Sequence, residues 1–138
     1  MIVVDTNVLA YAALVGERTE LVFRLSELDS DWVAPPLWRH ELANVLATRV
    51  RSTDRWALSI PEAIEAFANV ERLVTDAALD ASLGDRLEVV RRGGVSAYDA
   101  EFVVLAEQLN LPLVTNDRRL VSAFPRRAVA LAEFTASA

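Results

Sequence analysis

Two aspartates occupy positions where a sheet would present them to a ligand. Asp5 directly follows the apolar run 2–4, and Asp117 comes two positions after the β-prone run 113–115. Both runs are typical of short buried strands. Ligands of open parallel sheets bind beyond the carboxyl ends of the strands, so we expect both carboxylates at that edge. Each aspartate also precedes a predicted helix, and an N-cap role is the simpler explanation for either one alone.

Two further acids lie on predicted helices. Ser96 and Asp99 fit a capping box, which gives Asp99 a structural alternative of its own. Glu41 lies on the helix predicted over 37–51, in a polar stripe beside the apolar face. A helical glutamate that stands alone is usually only solvated.

The four acids together indicate more than their separate structural roles. Two carboxylates about 4 Å apart repel each other by roughly 4 kcal/mol at an effective dielectric constant of 20, so a fold that gathers four of them needs a cation. Ligation by oxygen alone suits Mg²⁺ or Mn²⁺ rather than zinc. A magnesium site with open water positions can catalyse phosphoryl transfer, because the metal lowers the pKa of a bound water and shields the leaving oxygen.

Composition limits the class of protein. The 138 residues suit one domain, predicted to span 1–138, and include no cysteine. No segment approaches the roughly 20 apolar residues of a membrane span, and the N-terminus lacks the basic region of a signal peptide. We therefore expect a cytoplasmic protein that does not contact membranes. The hydrophobic fraction of 53% predicts an apolar surface for a partner or a second copy.

The charge balance argues against a simple nucleic-acid coat protein. The net charge is −6, whereas such proteins bind through a positive surface. All 14 basic residues are nonetheless arginine, whose planar fork suits phosphate. Codon bias in a GC-rich genome is the first explanation for that preference.

Short apolar runs alternate with helical segments along the chain. Strands are predicted at 2–4, 32–34 and 113–115, with candidates at 70–74 and 128–131. Helices are predicted over 8–14, 18–28, 37–51, 60–69, 76–92, 97–109 and 118–124, followed by a frayed tail. This alternation indicates an α/β fold with a mostly parallel central sheet of four to five strands and helices on both faces.

Four ordered motifs resemble the signatures of PIN domains. They are VDTNV at 4–8, ELANVL at 41–46, SAYDA at 96–100 with LA at 105–106, and LVTND at 113–117. Each motif is weak alone, but the ordered set covers nearly the whole chain. It is most similar to the VapC-type toxins of bacterial toxin–antitoxin pairs.

The resemblance implies a three-layer α/β/α PIN-like fold and a metal-dependent endoribonuclease. The implied acidic quartet is Asp5, Glu41, Asp99 and Asp117, bound to Mg²⁺ or Mn²⁺. Asp5 and Asp99 would ligate the metal directly. Glu41 and Asp117 would hold metal-bound waters, complete a second metal site or position the attacking water. The residues that would fix these carboxylates are Thr6, Asn7 and Thr115.

The resemblance also implies partners. They are an RNA substrate, a second copy in a homodimer, and a small VapB-like antitoxin whose C-terminal segment covers the active site. Two other functions stay open: a PIN nuclease of RNA processing without an antitoxin, and a non-catalytic PIN-like module that binds RNA or protein. A neighbouring gene for a small DNA-binding protein would exclude the former. The acidic quartet weighs against the latter, because a binder of polyanions gains nothing from clustered acids.

Several basic and aromatic residues have both a functional and a structural interpretation. Arg118 and Arg119 follow Asp117, so one of them is expected to contact substrate phosphate, with a solvated helix face as the alternative. The single histidine, His40, is predicted to be structural. A basic rim for RNA could be formed by Arg49, Arg51 and Arg55. Bases could stack on Trp32, Trp38 or Trp56, although tryptophan usually belongs to a core or an interface.

Overall fold

The computed structural model describes residues 1–78 and 80–137. Within these residues the strands are β1 (Ile2–Val4), β2 (Trp32–Ala34), β3 (Val74–Asp76), β4 (Leu113–Thr115) and β5 (Ala128–Ala130). The helices are α1 (Thr6–Ala13), α2 (Thr19–Leu28), α3 (Trp38–Arg51), α4 (Ile60–Leu73), α5 (Leu83–Gly93), α6 (Ala97–Leu109), α7 (Arg118–Ala123) and α8 (Leu131–Ala136).

The strands form one sheet in the order β3-β2-β1-β4-β5, and every neighbouring pair is parallel. The chain moves from β1 through β2 to β3 in one direction and returns to β4 and β5 in the other. Right-handed crossovers therefore place α1 to α4 on one face and α5 to α7 on the opposite face, while α8 packs against α2. The predicted three-layer α/β/α architecture with a parallel sheet is confirmed.

The strand order reverses between β1 and β4, which makes their carboxyl ends the switch point of the sheet. All residues of both strands are buried because helices cover the two faces. The register pairs Val4 with Val114, so the next residues, Asp5 and Thr115, lie side by side. The fold thus brings together two residues that are far apart in the chain.

The predicted strand at 70–74 is wrong for most of its length. Helix α4 continues to Leu73, and only Val74 belongs to the strand that follows. Val70 faces the core from helix α4 and is fully buried. Its apolar side chain is therefore explained by burial of the helix rather than by a strand.

The helix predicted over 76–92 begins too early, and the frayed tail is not observed. Asp76 completes β3, and α5 starts at Leu83 behind the N-cap Ser82; position 79 lies outside the described residues. At the other end of the chain, residues 131–136 form α8, which buries Leu131 and packs on α2. The tail is ordered because its apolar face has a partner that a local pattern does not reveal. No helix in the described part of the chain is long and apolar enough to cross a bilayer.

Gly93 closes α5 against the buried ring of Phe124 and offers a test of this packing. A methyl group at Gly93 would overlap the ring, with Cε2 only 2.5 Å away. We expect Gly93→Ala to lower the free energy of unfolding by about 1–3 kcal/mol, the usual cost of overpacking. Urea denaturation measures this change. Gly84, in the same helix, has room for a methyl group, so Gly84→Ala should be neutral or stabilising by up to about 1 kcal/mol. Equal effects of the two substitutions would contradict the packing described.

Candidate active site

Asp5 lies at the switch point and is only 5% exposed. Its Oδ1 accepts a hydrogen bond from the Val8 backbone N at 3.1 Å, so it is the N-cap of α1. Its Oδ2 accepts a hydrogen bond from the Thr115 hydroxyl across the β1–β4 pair. Each carboxylate oxygen has a second lone pair, so these two bonds leave acceptor capacity for a cation.

A chain of hydrogen bonds ties three of the four predicted acids to neighbouring threonines. Thr6, next to Asp5, donates its hydroxyl hydrogen bond to Glu41 Oε1 at 2.7 Å and so joins α1 to α3. On the other side, the backbone N of Asp117 donates to Thr115 Oγ1 at 2.9 Å. Asp5, Glu41 and Asp117 are therefore held in one neighbourhood by Thr6 and Thr115.

The Asp99 carboxylate, unlike that of Asp85 at the start of α5, does not complete a capping box. Ser82 and Asp85 form both halves of a capping box, because the Asp85 carboxylate accepts from the Ser82 backbone N at 3.0 Å. At α6 only one half is present: Ser96 Oγ accepts from the Asp99 backbone N at 3.0 Å. Among the described residues no side-chain hydrogen bond engages the Asp99 carboxylate. The predicted capping box is thus half correct, and this carboxylate is not used by the cap.

The N-cap alternative is confirmed for the other two aspartates. Asp5 caps α1, as described above, and Asp117 Oδ1 accepts from the Arg119 backbone N at 2.9 Å to cap α7. Capping therefore uses part of each carboxylate without removing it from the switch point.

The negative charges of neighbouring acids contribute to the pKa values of Asp5 and Glu41. Burial raises the pKa of Asp5 from 3.8 to about 6, hydrogen bonds from Thr115 and Val8 oppose the rise, and the charges of Asp117 and Asp99 add to it. Burial also raises the pKa of Glu41, against the hydrogen bond from Thr6 and with help from the charge of Asp99.

The pKa of Asp117 is shifted in the opposite direction, below its usual value. Burial alone would raise the pKa of Asp117, but hydrogen bonds from the Arg119 side chain and backbone outweigh it and lower the pKa. Arg119 Nη2 lies 3.3 Å from Asp117 Oδ2, on a side chain that is 84% exposed. One of the two arginines predicted to contact phosphate thus pairs with a predicted acid.

The donor set of the site fits a hard divalent cation. It consists of carboxylate and hydroxyl oxygens around the buried Asp5, with three half-buried acids whose mutual repulsion a cation would relieve. No group of three or more histidine, cysteine, aspartate or glutamate side chains in the described ranges is close enough as it stands to hold a metal ion. The acids share a neighbourhood, and ligation by all four requires their side chains to move closer.

The remaining predicted residues lie around this neighbourhood. Asn7 is exposed at the start of α1 and lines a cavity there. Arg118 is exposed and lines a different cavity with Arg18. His40 is exposed beside Glu41. Trp32 and Trp38 are buried in the core, whereas Trp56 is exposed.

The sequence analysis missed two acids near the site. Glu101 is not among the predicted site residues, but its charge adds to the burial that raises the pKa of Glu41, and Arg86 Nη1 lies 3.2 Å from its carboxylate. Asp76 ends β3 at the same sheet edge and accepts hydrogen bonds from Trp38 Nε1 at 2.7 Å and Arg39 Nε at 2.8 Å. These bonds anchor the first turn of α3, which carries Glu41. A correct strand at 74–76 would have placed Asp76 at the edge.

Comparisons with known proteins agree with this architecture. The family model described as PIN domain matches residues 2–126. Ribonuclease VapC3 of Pyrobaculum aerophilum is 29% identical over 136 residues, which cover 90% of this chain and 95% of that protein. The crystal structure of PAE2754 from Pyrobaculum aerophilum superimposes with a TM-score of 0.76 at 22% identity, over 99% of this chain and 94% of that one. At that identity the superposition bears on the fold alone.

Asp5→Asn tests the cost of the buried carboxylate. The folded protein binds the Asp5 proton more tightly than the unfolded chain, so stability falls as pH rises from about 4 through about 6. The pKa difference corresponds to roughly 3 kcal/mol at pH 7.5. Without divalent ions, Asp5→Asn should resist urea better than the wild type at pH 7.5 and equally at pH 4.

Asp80→Asn serves as the control because it removes the same charge from an exposed position. Its stability should follow that of the wild type across the whole pH range. A difference between Asp5→Asn and wild type that does not change with pH would show that the carboxyl of Asp5 titrates normally.

Proposed function

The chain belongs to the PIN domain family, and on that premise we propose that it is a metal-dependent endoribonuclease of the VapC type. The observation that carries the proposal is the hydrogen-bonded arrangement at the switch point, where Thr6 and Thr115 connect Glu41, Asp5 and Asp117. Asp99, which its helix cap does not use, supplies the fourth carboxylate. The name of the relative, a ribonuclease VapC, supports RNA as the substrate.

In this proposal Asp5 and Asp99 hold Mg²⁺ or Mn²⁺, and Glu41 and Asp117 hold waters. The ion supplies Lewis acidity toward a phosphate and makes water more acidic. Thr115 and the backbone N of Val8 fix the Asp5 carboxylate, and Thr6 fixes Glu41 so that it orients the attacking water. Attack of water on phosphorus would form the new P–O bond while the bond to the 3′ oxygen breaks and that oxygen takes up a proton, which leaves a 5′-phosphate and a 3′-hydroxyl.

The proposal extends to partners and location. A VapC-type toxin acts in the cytoplasm, pairs with a small antitoxin of the VapB type and forms a homodimer. Exposed apolar side chains on α5 and α6 support a protein–protein contact, since Leu83, Leu87 and Tyr98 are 61%, 49% and 65% exposed.

Cleavage of RNA tests the proposal most directly. Purified wild type and Asp99→Ala are incubated with total RNA and Mg²⁺, and the products are resolved on a denaturing gel. We expect Asp99→Ala to lose at least about 100-fold in rate, the upper end of the losses seen for residues that support a metal ligand. Equal cleavage by both proteins would point to a contaminating nuclease and remove the support for the proposal.

Asp85→Ala is the matched control. Asp85 occupies the same position in α5 that Asp99 occupies in α6, behind a capping serine. Because Asp85 completes its capping box and Asp99 does not, Asp85→Ala should lose some stability and keep the cleavage rate. Loss of cleavage in both variants would mean that an acid at this helical position serves the fold rather than the reaction.

Metal binding gives a second measurement, independent of cleavage. Millimolar Mn²⁺ or Mg²⁺ should raise the melting temperature of the wild type, because an ion that binds only the folded state stabilises it. The rise should disappear in Asp5→Asn and persist in Asp80→Asn. A wild type whose melting temperature does not respond to either ion would contradict the metal site.

A further inference from the structure

Two arginines surround the exposed tryptophan of the connection between α3 and α4. The guanidinium carbon of Arg55 lies 4.8 Å from the centre of the Trp56 ring, and that of Arg49 lies 5.8 Å from it. Arg49 Nη1 also donates to the Trp56 backbone oxygen at 3.4 Å. Trp56 is 47% exposed. Cation–π contacts of this kind hold flexible guanidinium groups in place at low cost, so the three residues form a preorganised cationic surface, called here the Arg49–Trp56–Arg55 clamp.

A groove formed by three adjoining cavities leads from the clamp toward the first turn of α1. A cavity of about 450 Å³ is lined by Asn7 and Tyr11 of α1 and by Val45 and Arg49 of α3. Asn7 follows Thr6, whose hydroxyl bonds to Glu41, so this cavity reaches the turn of α1 next to the candidate site, although none of the four acids of that site lines it. Arg49 lines the two adjoining cavities as well, both together with Trp56.

Four acids line the groove, namely Glu17, Asp54, Glu62 and Glu65. The charge of Arg49 contributes, after hydrogen bonds at Ser52 and Trp56, to the lowered pKa of Asp54, but none of the four acids forms a salt bridge with the clamp among the described residues. Asp54 Oδ1 accepts from the Trp56 backbone N at 2.7 Å, and Glu62 Oε1 accepts from the Ser59 backbone N at 3.0 Å, so both carboxylates cap their own segments. In the described part of the chain neither Arg49 nor Arg55 forms a salt bridge. Two guanidinium forks without carboxylate partners, beside an aromatic ring, suit an anion with several oxygens.

We propose that the Arg49–Trp56–Arg55 clamp binds a backbone phosphate of single-stranded RNA at a fixed distance from the phosphate that is cleaved. This subsite rests on the proposed ribonuclease function. Arg49 lies eight residues after Glu41 on α3, which is about 12 Å along the helix axis. The clamp therefore binds a phosphate a few nucleotides away from the phosphate that is cleaved. Charge complementarity favours RNA over a polypeptide segment, because two arginines that form no salt bridge in the described part of the chain line the groove.

Binding of a labelled oligonucleotide tests the clamp without relying on cleavage. The probe is a fluorescein-labelled single-stranded RNA of roughly 12 nucleotides, longer than the span from clamp to quartet. Affinity is measured by fluorescence anisotropy with Mg²⁺ in an Asp99→Asn background, which keeps the probe intact. Arg55→Gln is compared with Arg126→Gln, which removes the same single charge from an exposed position at the opposite sheet edge. The double variant Arg49→Gln/Arg55→Gln removes two charges and measures the whole clamp.

We expect the dissociation constant to rise about fivefold to tenfold in the clamp variants and to stay unchanged in Arg126→Gln. The slope of log affinity against log salt should become shallower by about 0.7 in the double variant, the change for one phosphate contact on a single strand. Arg55→Gln decides the test if the double variant is unstable, because Arg55 is exposed and contacts only Trp56 in the interactions described.

Several results would overturn the clamp. One is binding in the clamp variants equal to that of Arg126→Gln, and another is a parent protein that does not bind the probe. A third is unchanged RNA affinity together with weaker binding of a purified antitoxin peptide, which would assign the groove to a protein partner.

The two proposals fail separately. Cleavage by the wild type with no effect of the clamp substitutions would leave the nuclease standing without this subsite. Loss of RNA affinity in the clamp variants of a protein that does not cleave RNA would support RNA binding by the clamp, but it would remove the nuclease and with it the fixed distance to a cleaved phosphate.

Discussion

The buried carboxylate of Asp5 is the constraint on which the site depends. It ends the central strand at the point where the strand order reverses, and it stays there because Val8 and Thr115 donate hydrogen bonds to it. Burial and neighbouring charges raise its pKa to about 6, so the fold carries an unfavourable charge at this position. Such local costs are typical of functional sites. The same carboxylate starts α1, which means that capping and chemistry are not competing explanations for Asp5.

Much of the fold could be predicted from the sequence because it is encoded locally. Buried runs such as 2–4 and 113–115 have no polar alternation, and Ser59 caps α4 with both halves of its box. The predicted boundaries were wrong where a three-residue strand directly follows a helix, as at α4 and β3. The apolar run at 70–74 satisfies both patterns, and only the partner strand β2, which pairs with β3, decides where the helix ends. The order of α8 likewise depends on α2, more than a hundred residues earlier.

The sequence indicated which residues would share a neighbourhood at the switch point, but it did not indicate how their side chains would be oriented. Motif order and the β1–β4 register bring Asp5 and Thr115 together, and Thr6 follows from its position beside Asp5. The unused carboxylate of Asp99 and the orientation of Glu101 depend on how α5, α6 and α3 pack, which periodicity along one helix cannot show. Asp76 was missed because its strand was missed. A sequence therefore indicates which acids belong to such a site more readily than how each one is held.

The pairing of β1 with β4 also has a consequence for the order of synthesis. During synthesis Asp5 is added early and Thr115 late, since 110 positions separate the two residues. A nascent chain that ends before β4 leaves one side of the central strand unpaired and the Asp5 carboxylate without the threonine that holds it. Contacts of such long range form late because closing the intervening loop is entropically costly. This arrangement therefore cannot form until β4 has left the ribosome, so chains that end before β4 lack the contact that holds Asp5.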